Sequence, residues 1–364
     1  MITVRVYDGA SLSANASTDA SGAISRARNI TFTTGLPGGY LSCTWDTTLA
    51  DPSAWDVELG RYVKLYASLD SVFEGQIEDI GYSRDMATGL YTASVTALGP
   101  WARAKKVREA ANYVAATTGN TIVQTALAEM ANISTDYTYV WGADRNLNTV
   151  NYDASVADVI EDVLKYGSQN NIPLYFAFWE TPQTGTSTAG PRAWLWQRDL
   201  TTIVHWRVRV SEFAFKYTES LANVYNAVVA TYNAGANETA ESTDAASQAL
   251  YGERQIWSGL SVETQTLAVA EAARATYISW KADPRPILSP FALKRWARDG
   301  GGVKRPCAYV RAGDVMTVED WIVDDTSYTF VVGATTYSAD EDSAQITPEE
   351  RPKTLSALLG AASS

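Results

Sequence analysis

A single histidine, His205, stands in 364 residues. Zinc centres built on two or three imidazoles, and the H-E-x-x-H helix of zinc proteases, both need more than that. Only two cysteines occur, Cys43 and Cys307, far apart in the chain. They cannot make a four-thiolate metal site or a disulfide framework. Either one long-range bridge joins them or both are free buried thiols, and the second is the expectation. No G-x-x-x-x-G-K-[S/T] phosphate loop, no G-x-G-x-x-G dinucleotide turn and no G-x-S-x-G nucleophile elbow is present. No stretch reaches the roughly 18 apolar residues of a membrane-spanning helix. Met1-Ile-Thr-Val-Arg-Val6 lacks the basic-then-apolar order of an export signal, so a soluble chain that bypasses the secretory route is expected. The patterns Asn29-Ile-Thr31 and Asn237-Glu-Thr239 then carry no weight as glycosylation sites.

Positive charge is scarce as well: 29 Lys and Arg stand against 41 Asp and Glu, a net charge of −12. That balance argues against duplex DNA or an anionic membrane as the main ligand, since both need a basic face. Hydrophobic residues make up 46 % of the chain, enough for packed cores, and the length suggests two or three domains. The 12 tryptophans and 20 tyrosines suit strands, interfaces and sugar platforms alike.

The first hundred residues read as β. Val4–Tyr7, Tyr62–Leu69 and Val72–Ile80 carry strand signals, Gly35-Leu-Pro-Gly-Gly39 is a turn, and 10–23 and 81–90 read as loop or turn. Tyr91, Ala93, Val95 and Ala97 alternate with Thr92, Ser94 and Thr96, the period of a half-buried strand. The pattern changes at Gly99-Pro100-Trp101. Thr121 with Gln124 has capping-box spacing ahead of Ile122, Ala126, Leu127 and Met130. Ser155 with Asp158 caps a helix whose Val156, Val159, Ile160, Val163 and Leu164 share one face, and Gly167 closes it. Leu174–Trp179 and Ala193–Gln197 read as aromatic strands joined by a polar loop. Strand signals return at Ile203–Val210 and Leu221–Tyr232, and 234–249 reads as a loop. Ser261 is expected to cap a helix ending at Lys281. Strands are expected over Phe291–Trp296, Ala308–Val318, Tyr328–Val332 and Thr335–Tyr337. The expected organisation is a β-barrel domain over 1–101, an α+β insert over 102–200, and a second β-barrel domain over 201–350 with an embedded helix at 262–281. A tail over 351–364 follows. The fold class is mainly β with an α+β insert.

No catalytic constellation emerges. His205, in Thr202-Ile-Val-His-Trp206, reads as a half-buried strand residue. Paired carboxylates could hydrolyse glycosides, and the candidates beside aromatics are Asp56 and Glu58 near Trp55, Glu180 near Trp179, and Asp320 near Trp321. Solvated surface or turn roles are the expectation for all of them. Trp179, Trp194 and Trp196 suit either a sugar platform or a hairpin core, the latter favoured. Asp324-Asp325 and Asp340-Glu341-Asp342 are acidic turns without an EF-hand pattern. The basic run Arg103-Ala-Lys-Lys-Val-Arg108 reads as a solvated helix face. No catalytic, cofactor or metal residue is assigned.

Two groups of motifs point further. Phe73-Glu-Gly-Gln-Ile-Glu-Asp-Ile80, a turn, and Leu90-Tyr-Thr-Ala-Ser-Val-Thr-Ala-Leu-Gly-Pro100 together resemble the first barrel of phage tail-tip and baseplate hub proteins. There a strand with F-x-G-x-I pairs with one ending in an apolar-Gly-Pro corner. Arg311-Ala-Gly-Asp-Val315, Thr329-Phe-Val-Val332 and Ile346-Thr-Pro348 are similar to the C-terminal part of the same family, as is Tyr251-Gly-Glu-Arg254 ahead of an Ala-rich helix. The resemblance implies a homotrimer in which each subunit gives two tail-tube-like barrels, so that three chains form a pseudo-six-fold ring with the insert outside. It implies distal tail, tube, tape-measure and tip or fibre proteins as neighbours. It also implies a channel for tape-measure protein and DNA, a place in the virion after assembly in the host cytoplasm, and neither enzymatic activity nor membrane anchoring. The acidic balance would suit a channel past which DNA slides. Some hubs carry a cell-wall-cleaving domain or fibre extensions; this sequence shows neither, which leaves those tasks to other proteins. Two rivals remain open: a carbohydrate-binding tail component, which needs exposed coplanar Trp179, Trp194 and Trp196, and a glycoside hydrolase, which needs two carboxylates facing across a cleft.

Overall fold

The computed structural model describes residues 2–7, 27–49, 57–68, 70–169, 172, 174–179, 190–197, 204–214, 216–218, 221, 224–261, 266–284, 287–321 and 327–349. The expected loop at 10–23, the tail at 351–364, and Trp55, Asp56, Glu180, Asp324 and Asp325 lie outside them.

The protein is mainly β, and one sheet dominates. From one edge to the other its strands are Ile2–Val6, Tyr62–Ala67, Asp70–Arg84, Tyr91–Leu98, Gly38–Leu49, Arg28–Gly35, Tyr328–Ser338, Val315–Glu319, Trp206–Arg209, Trp296–Asp299 and Lys304–Pro306. The N-terminal and C-terminal β segments are thus joined edge to edge. The joint is the antiparallel pair of Arg28–Gly35 with Tyr328–Ser338, running from Thr31 opposite Ser338 to Gly35 opposite Ala334. One hydrophobic core follows that joint. It takes Phe32, Trp45, Leu65, Phe73 and Val95 from the first segment and Met316, Val318, Phe330, Val332 and Ile346 from the second.

The F-x-G-x-I strand is Asp70–Arg84, whose Phe73 and Ile77 are buried. Its partner Tyr91–Leu98 buries Ala93, Val95 and Ala97 as the alternation requires. At the following corner a Cβ on Gly99 would come 1.9 Å from the carbonyl oxygen of Tyr40, so only glycine lets the chain cross there. Pro100 then opens the short helix Pro100–Ala104 at a position where its missing N–H costs nothing.

Within 102–200 lie two helices, Gly119–Ala128 and Val156–Lys165, and the hairpin of Leu174–Trp179 with Arg192–Gln197. Every residue of Leu174–Trp179 is buried, because the strand is a wall between two cores. Phe176 and Phe178 face the helices, alongside Ile122, Leu127, Val159 and Ile160. Tyr175, Ala177 and Trp179 face the main core. The strand also pairs in parallel with the long sheet at Ala177–Gly38 and Phe178–Gly39. Ser155 and Asp158 cap the second helix reciprocally, as expected, and Gly167 closes it with φ +66°. A third, smaller core sits where helix Leu267–Lys281 packs on strands Ala227–Tyr232 and Gln255–Ser261.

Several expectations need correction. The 81–90 turn is shorter, since the strand runs through Arg84. The first insert helix is capped by Thr118, whose hydroxyl accepts from Thr121 N at 3.3 Å, while Gln124 donates to Val140 O instead of closing a capping box. The basic run is not one helix face: the helix stops at Ala104 and Arg108 starts the strand Arg108–Tyr113. Only Ala227–Tyr232 of the expected 221–232 strand is extended. The 234–249 segment holds two short strands and most of the helix Ala245–Tyr251, capped by Asp244. Ser261 ends a strand; the helix begins at Leu267 with Thr266 as its N-cap, not at 262. The Phe291–Trp296 strand breaks at Arg295, whose φ is +62°. The Ala308–Val318 strand begins only at Val315, behind a tight 3₁₀ turn at Cys307–Tyr309. Tyr328–Val332 and Thr335–Tyr337 are one strand.

Inside the first segment Lys64 and Glu74 sit opposite each other and are both buried, with Nζ–Oε1 at 2.8 Å. Tyr62 donates its hydroxyl to Glu74 Oε2 at 2.7 Å, and burial pushes the phenol well above its usual range. Removing one partner leaves a buried charge alone. Lys64→Met is therefore expected to cost about 3–5 kcal/mol, while Lys64→Met with Glu74→Leu recovers most of it. Urea unfolding midpoints of the two variants check this.

Candidate functional site, the junction of three segments

The residues that draw the molecule together are those of Arg311-Ala-Gly-Asp-Val315, a turn entering the strand Val315–Glu319. The Asp314 carboxylate accepts Trp206 Nε1–H at 2.7 Å and Arg311 N–H at 3.0 Å through Oδ2. Ala312 N–H donates to Thr34 Oγ1 at 2.9 Å, and Thr34 shares a hydroxyl bond of 2.8 Å with Thr335. Gly313 N–H donates to Val332 O at 2.7 Å, and Val332 N–H returns to Asp314 O at 2.8 Å. The Arg311 guanidinium lies 4.7 Å above the Trp179 ring, a cation–π contact. Trp196 covers Gly313 so closely that an added Cβ would meet its ring at 2.8 Å, and Gly313 has φ +89°. One five-residue turn thus grips the first β segment through Thr34, the second through Trp206 and Val332, and the insert through Trp179 and Trp196.

A cleft of about 330 Å³ opens beside this turn, bordered by His205, Arg311, Asp314, Tyr309, Asp70 and Thr34. Its buried polar atoms already serve one another, as the Asp314 and Thr34 bonds show. His205 is tied to the neighbouring strand. Its Nδ1 accepts the backbone N–H of Val315 at 2.9 Å, and the backbone N–H of His205 donates to Val315 O at 2.9 Å. The sole histidine thus serves as an extra rung beside the Trp206–Arg209 strand.

Among the described residues, the carboxylates singled out by sequence are exposed or bonded within their own turns. Glu58 is exposed and paired with Arg61 at 3.0 Å. Asp320 is exposed at a left-handed turn position, φ +59°, while its neighbour Trp321 is buried and stacked on Tyr328. In the other acidic turn, Asp342 accepts the Tyr337 hydroxyl at 2.8 Å and Glu341 the Ser343 hydroxyl at 3.1 Å. No group of three metal-binding side chains occurs among the described residues. The three tryptophans do not form an open platform. Trp179 is buried edge-on to Tyr40, Trp194 stacks on Tyr139 at 4.0 Å, and Trp196 leans on Tyr175. Within the basic run, Lys106 pairs with Glu78 at 3.2 Å and Arg108 with Asp153 at 2.6 Å, while Arg103 donates to Asn132 O at 3.4 Å. Cys43 and Cys307 are both free and buried. Desolvation pushes the Cys307 thiol up to about 12, and Cys43 higher still.

Sequence reasoning picked out the Arg311–Val315 motif but not its partners Thr34, Trp206 and Trp196. A threonine within a threonine-rich strand carries no local sign of a contact 301 residues away.

No protein-family model matches the sequence, and no curated protein matches it at a significant level. Solved structures do match over nearly the whole chain. The 43 kDa tail protein of prophage MuSo2 from Shewanella oneidensis is 12 % identical, with 97 % of each chain covered and a TM-score of 0.59. A tail protein from Neisseria meningitidis MC58 is 10 % identical, with 98 % of each chain covered and a TM-score of 0.62. A component of the Escherichia coli type VI secretion system, described as similar to the T4 tail proteins gp27 and gp5, is 11 % identical. It covers 90 % of this chain and 74 % of its own, with a TM-score of 0.51. The chain shares its fold with these phage tail proteins, in keeping with the resemblance of the sequence motifs.

Gly313→Ala puts a methyl group into Trp196 at a φ that side chains avoid, and is expected to cost about 1–3 kcal/mol. Gly81→Ala, whose nearest neighbour would be 3.9 Å away, is expected to be near neutral; thermal melts compare the two. At about pH 8 both thiols stay protonated, so native protein is expected to resist a disulfide-exchange reagent that titrates two thiols after unfolding.

Proposed function

We propose that this protein is a structural component of a phage tail tip or baseplate, acting as a hub. The observation that carries this reading is the end-to-end fold match to tail proteins. The continuous sheet through both β segments supports it, because a ring-forming subunit needs a wall that runs across its whole width. On this reading three chains form a homotrimeric ring of pseudo-six-fold symmetry, the 1–101 and 201–350 segments are the two tube-like modules of each, and the insert decorates the outside. The ring joins the tail tube to the tip and lines the channel for tape-measure protein and DNA. Its neighbours are the distal tail, tube, tape-measure and tip or fibre proteins. It resides in the virion, is assembled in the host cytoplasm, and performs no catalysis. Its working parts are interfaces, which fits a molecule whose polar clusters satisfy themselves.

The carbohydrate-binding alternative requires tryptophans open to a sugar face, and the packing of Trp179, Trp194 and Trp196 against Tyr40, Tyr139 and Tyr175 works against it. The hub reading is tested by light scattering across a concentration series. A mass three times the 39.5 kDa of one chain is expected, with rings in negative-stain micrographs. A monomer at the highest soluble concentration would overturn the self-assembling ring.

A further inference from the structure

Around the joint of the two β segments the long sheet buries one side. There Phe32 lies between Cys43 and Tyr337, and Trp45 faces Val95. On the other side the same strands carry hydroxyls. Thr33 lies opposite Ser42 on one neighbour and Thr336 on the other, and Thr336 lies opposite Gln345 of the strand Ser343–Pro348. The next rung runs through Thr96, Thr44, Thr31, Ser338 and Ser343. It ends on Asp79 of Asp70–Arg84 at one side and on Lys294 of Phe291–Lys294 at the other. All these pairings are antiparallel, and directly opposite residues on antiparallel strands point to the same side. The rung crosses seven strands, which at about 4.8 Å apart make the face about 29 Å wide. Thr44, Thr336 and Gln345 stand exposed on it.

An antiparallel sheet can leave one face to water, so openness alone says little. The composition says more. The chain has a net charge of −12, yet the charges aligned on this face balance, Asp46 and Asp79 against Arg28 and Lys294. Asp46 accepts the Ser94 hydroxyl and the Asn29 amide, each at 2.6 Å, and Arg28 donates to Thr48 at 2.6 Å. None of the exposed large apolar side chains among the described residues falls on these rungs. Protein docking surfaces are built on aromatic, methionine and arginine anchors and are poor in serine. A phosphate backbone is held by cations in excess. This face has neither.

We propose that this hydroxyl face is the wall of the channel, and that a DNA duplex passes along it without being held. The inference rests on the hub reading above and names the surface that the passing polymer meets. Serine and threonine hydroxyls both donate and accept, so they hold water without supplying a counter-charge. Counterion release gives proteins most of their non-specific affinity for duplex DNA, and a face with no net positive charge forgoes it. The free passage expected from an acidic balance is obtained on this face by neutrality, and the acidic excess of the chain lies elsewhere.

The experiment uses the full chain. Thr44→Cys and Thr336→Cys place a thiol on the face, and Val114→Cys places one on the insert, where Val114 is 72 % exposed. The two native thiols are buried and stay silent. Circular dichroism confirms folding and light scattering identifies rings. Each ring is treated with biotin-maleimide and then with streptavidin, a protein too bulky to enter a channel. All three positions are expected to take biotin. Val114→Cys rings then bind streptavidin, while Thr44→Cys and Thr336→Cys rings bind it only after denaturation. An unaltered protein that stays monomeric would overturn the hub reading and this inference with it. Rings that bind streptavidin at all three positions, or refuse biotin at Thr44→Cys and Thr336→Cys, would overturn this inference alone. In a second arm, Thr44→Lys with Thr336→Lys is expected to make the ring hold a fluorescent DNA duplex that the unaltered ring does not, and to lose it at high salt. A duplex held by both rings, or by neither, would overturn the charge-balance argument.

Discussion

The structure hangs on one buried carboxylate. Asp314 is 8 % exposed and holds the indole of Trp206 and the backbone N–H of Arg311 through the same oxygen. A charged acceptor makes each bond stronger than a neutral pair would, about 1.5–3 kcal/mol. With Asp314 fixed, the turn presents Ala312 N–H to Thr34, Gly313 N–H to Val332, and the Arg311 guanidinium to Trp179. Each of these partners belongs to a different stretch of chain. The alignment of the two β segments, and the seat of the insert against both, follow from a turn of five residues. The pairing of Arg28–Gly35 with Tyr328–Ser338 then carries that alignment along the sheet, and the single core beneath makes it cooperative.

The same economy explains the aromatic strand Leu174–Trp179. A run of Leu-Tyr-Phe-Ala-Phe-Trp has no polar face to show to water. Such a strand is stable only if both sides are covered. Here the insert helices cover one side and the main core the other, so the insert is not an appendage on a flexible stalk. Its innermost strand is shared with the body, and its tryptophans close over the Arg311–Asp314 turn.

Legibility in the sequence followed local periodicity. The helix after Ser155 was readable to the residue, because five apolar positions and both cap residues lie within a dozen positions. Tyr91–Leu98 was readable because its alternation is strict. Arg28–Gly35 and Gly38–Leu49 were not, although they are central to the sheet. Their inward residues are Ile30, Phe32 and Thr34, then Tyr40, Cys43, Trp45 and Thr47, set among threonines, serines and glycines. Threonine favours strands but gives no apolar stripe. What turns Thr34 into a core residue is a hydroxyl partner from the other end of the chain. The 262–281 helix was misplaced at its start for a related reason: Ser261 has a capping side chain, yet its backbone is committed to pairing in parallel with Thr231. Long-range pairing overrides local grammar at both places.

The chemistry of the molecule is inward-looking. Buried hydroxyls meet hydroxyls, the one histidine accepts a backbone N–H, and the buried lysine faces a buried glutamate. Thr34, His205 and Asp314 at the cleft are likewise bonded within the fold. The buried hydroxyl of Thr34 shows where those polar groups go: it meets Thr335 and the backbone N–H of Ala312, and so ties the first β segment to the second.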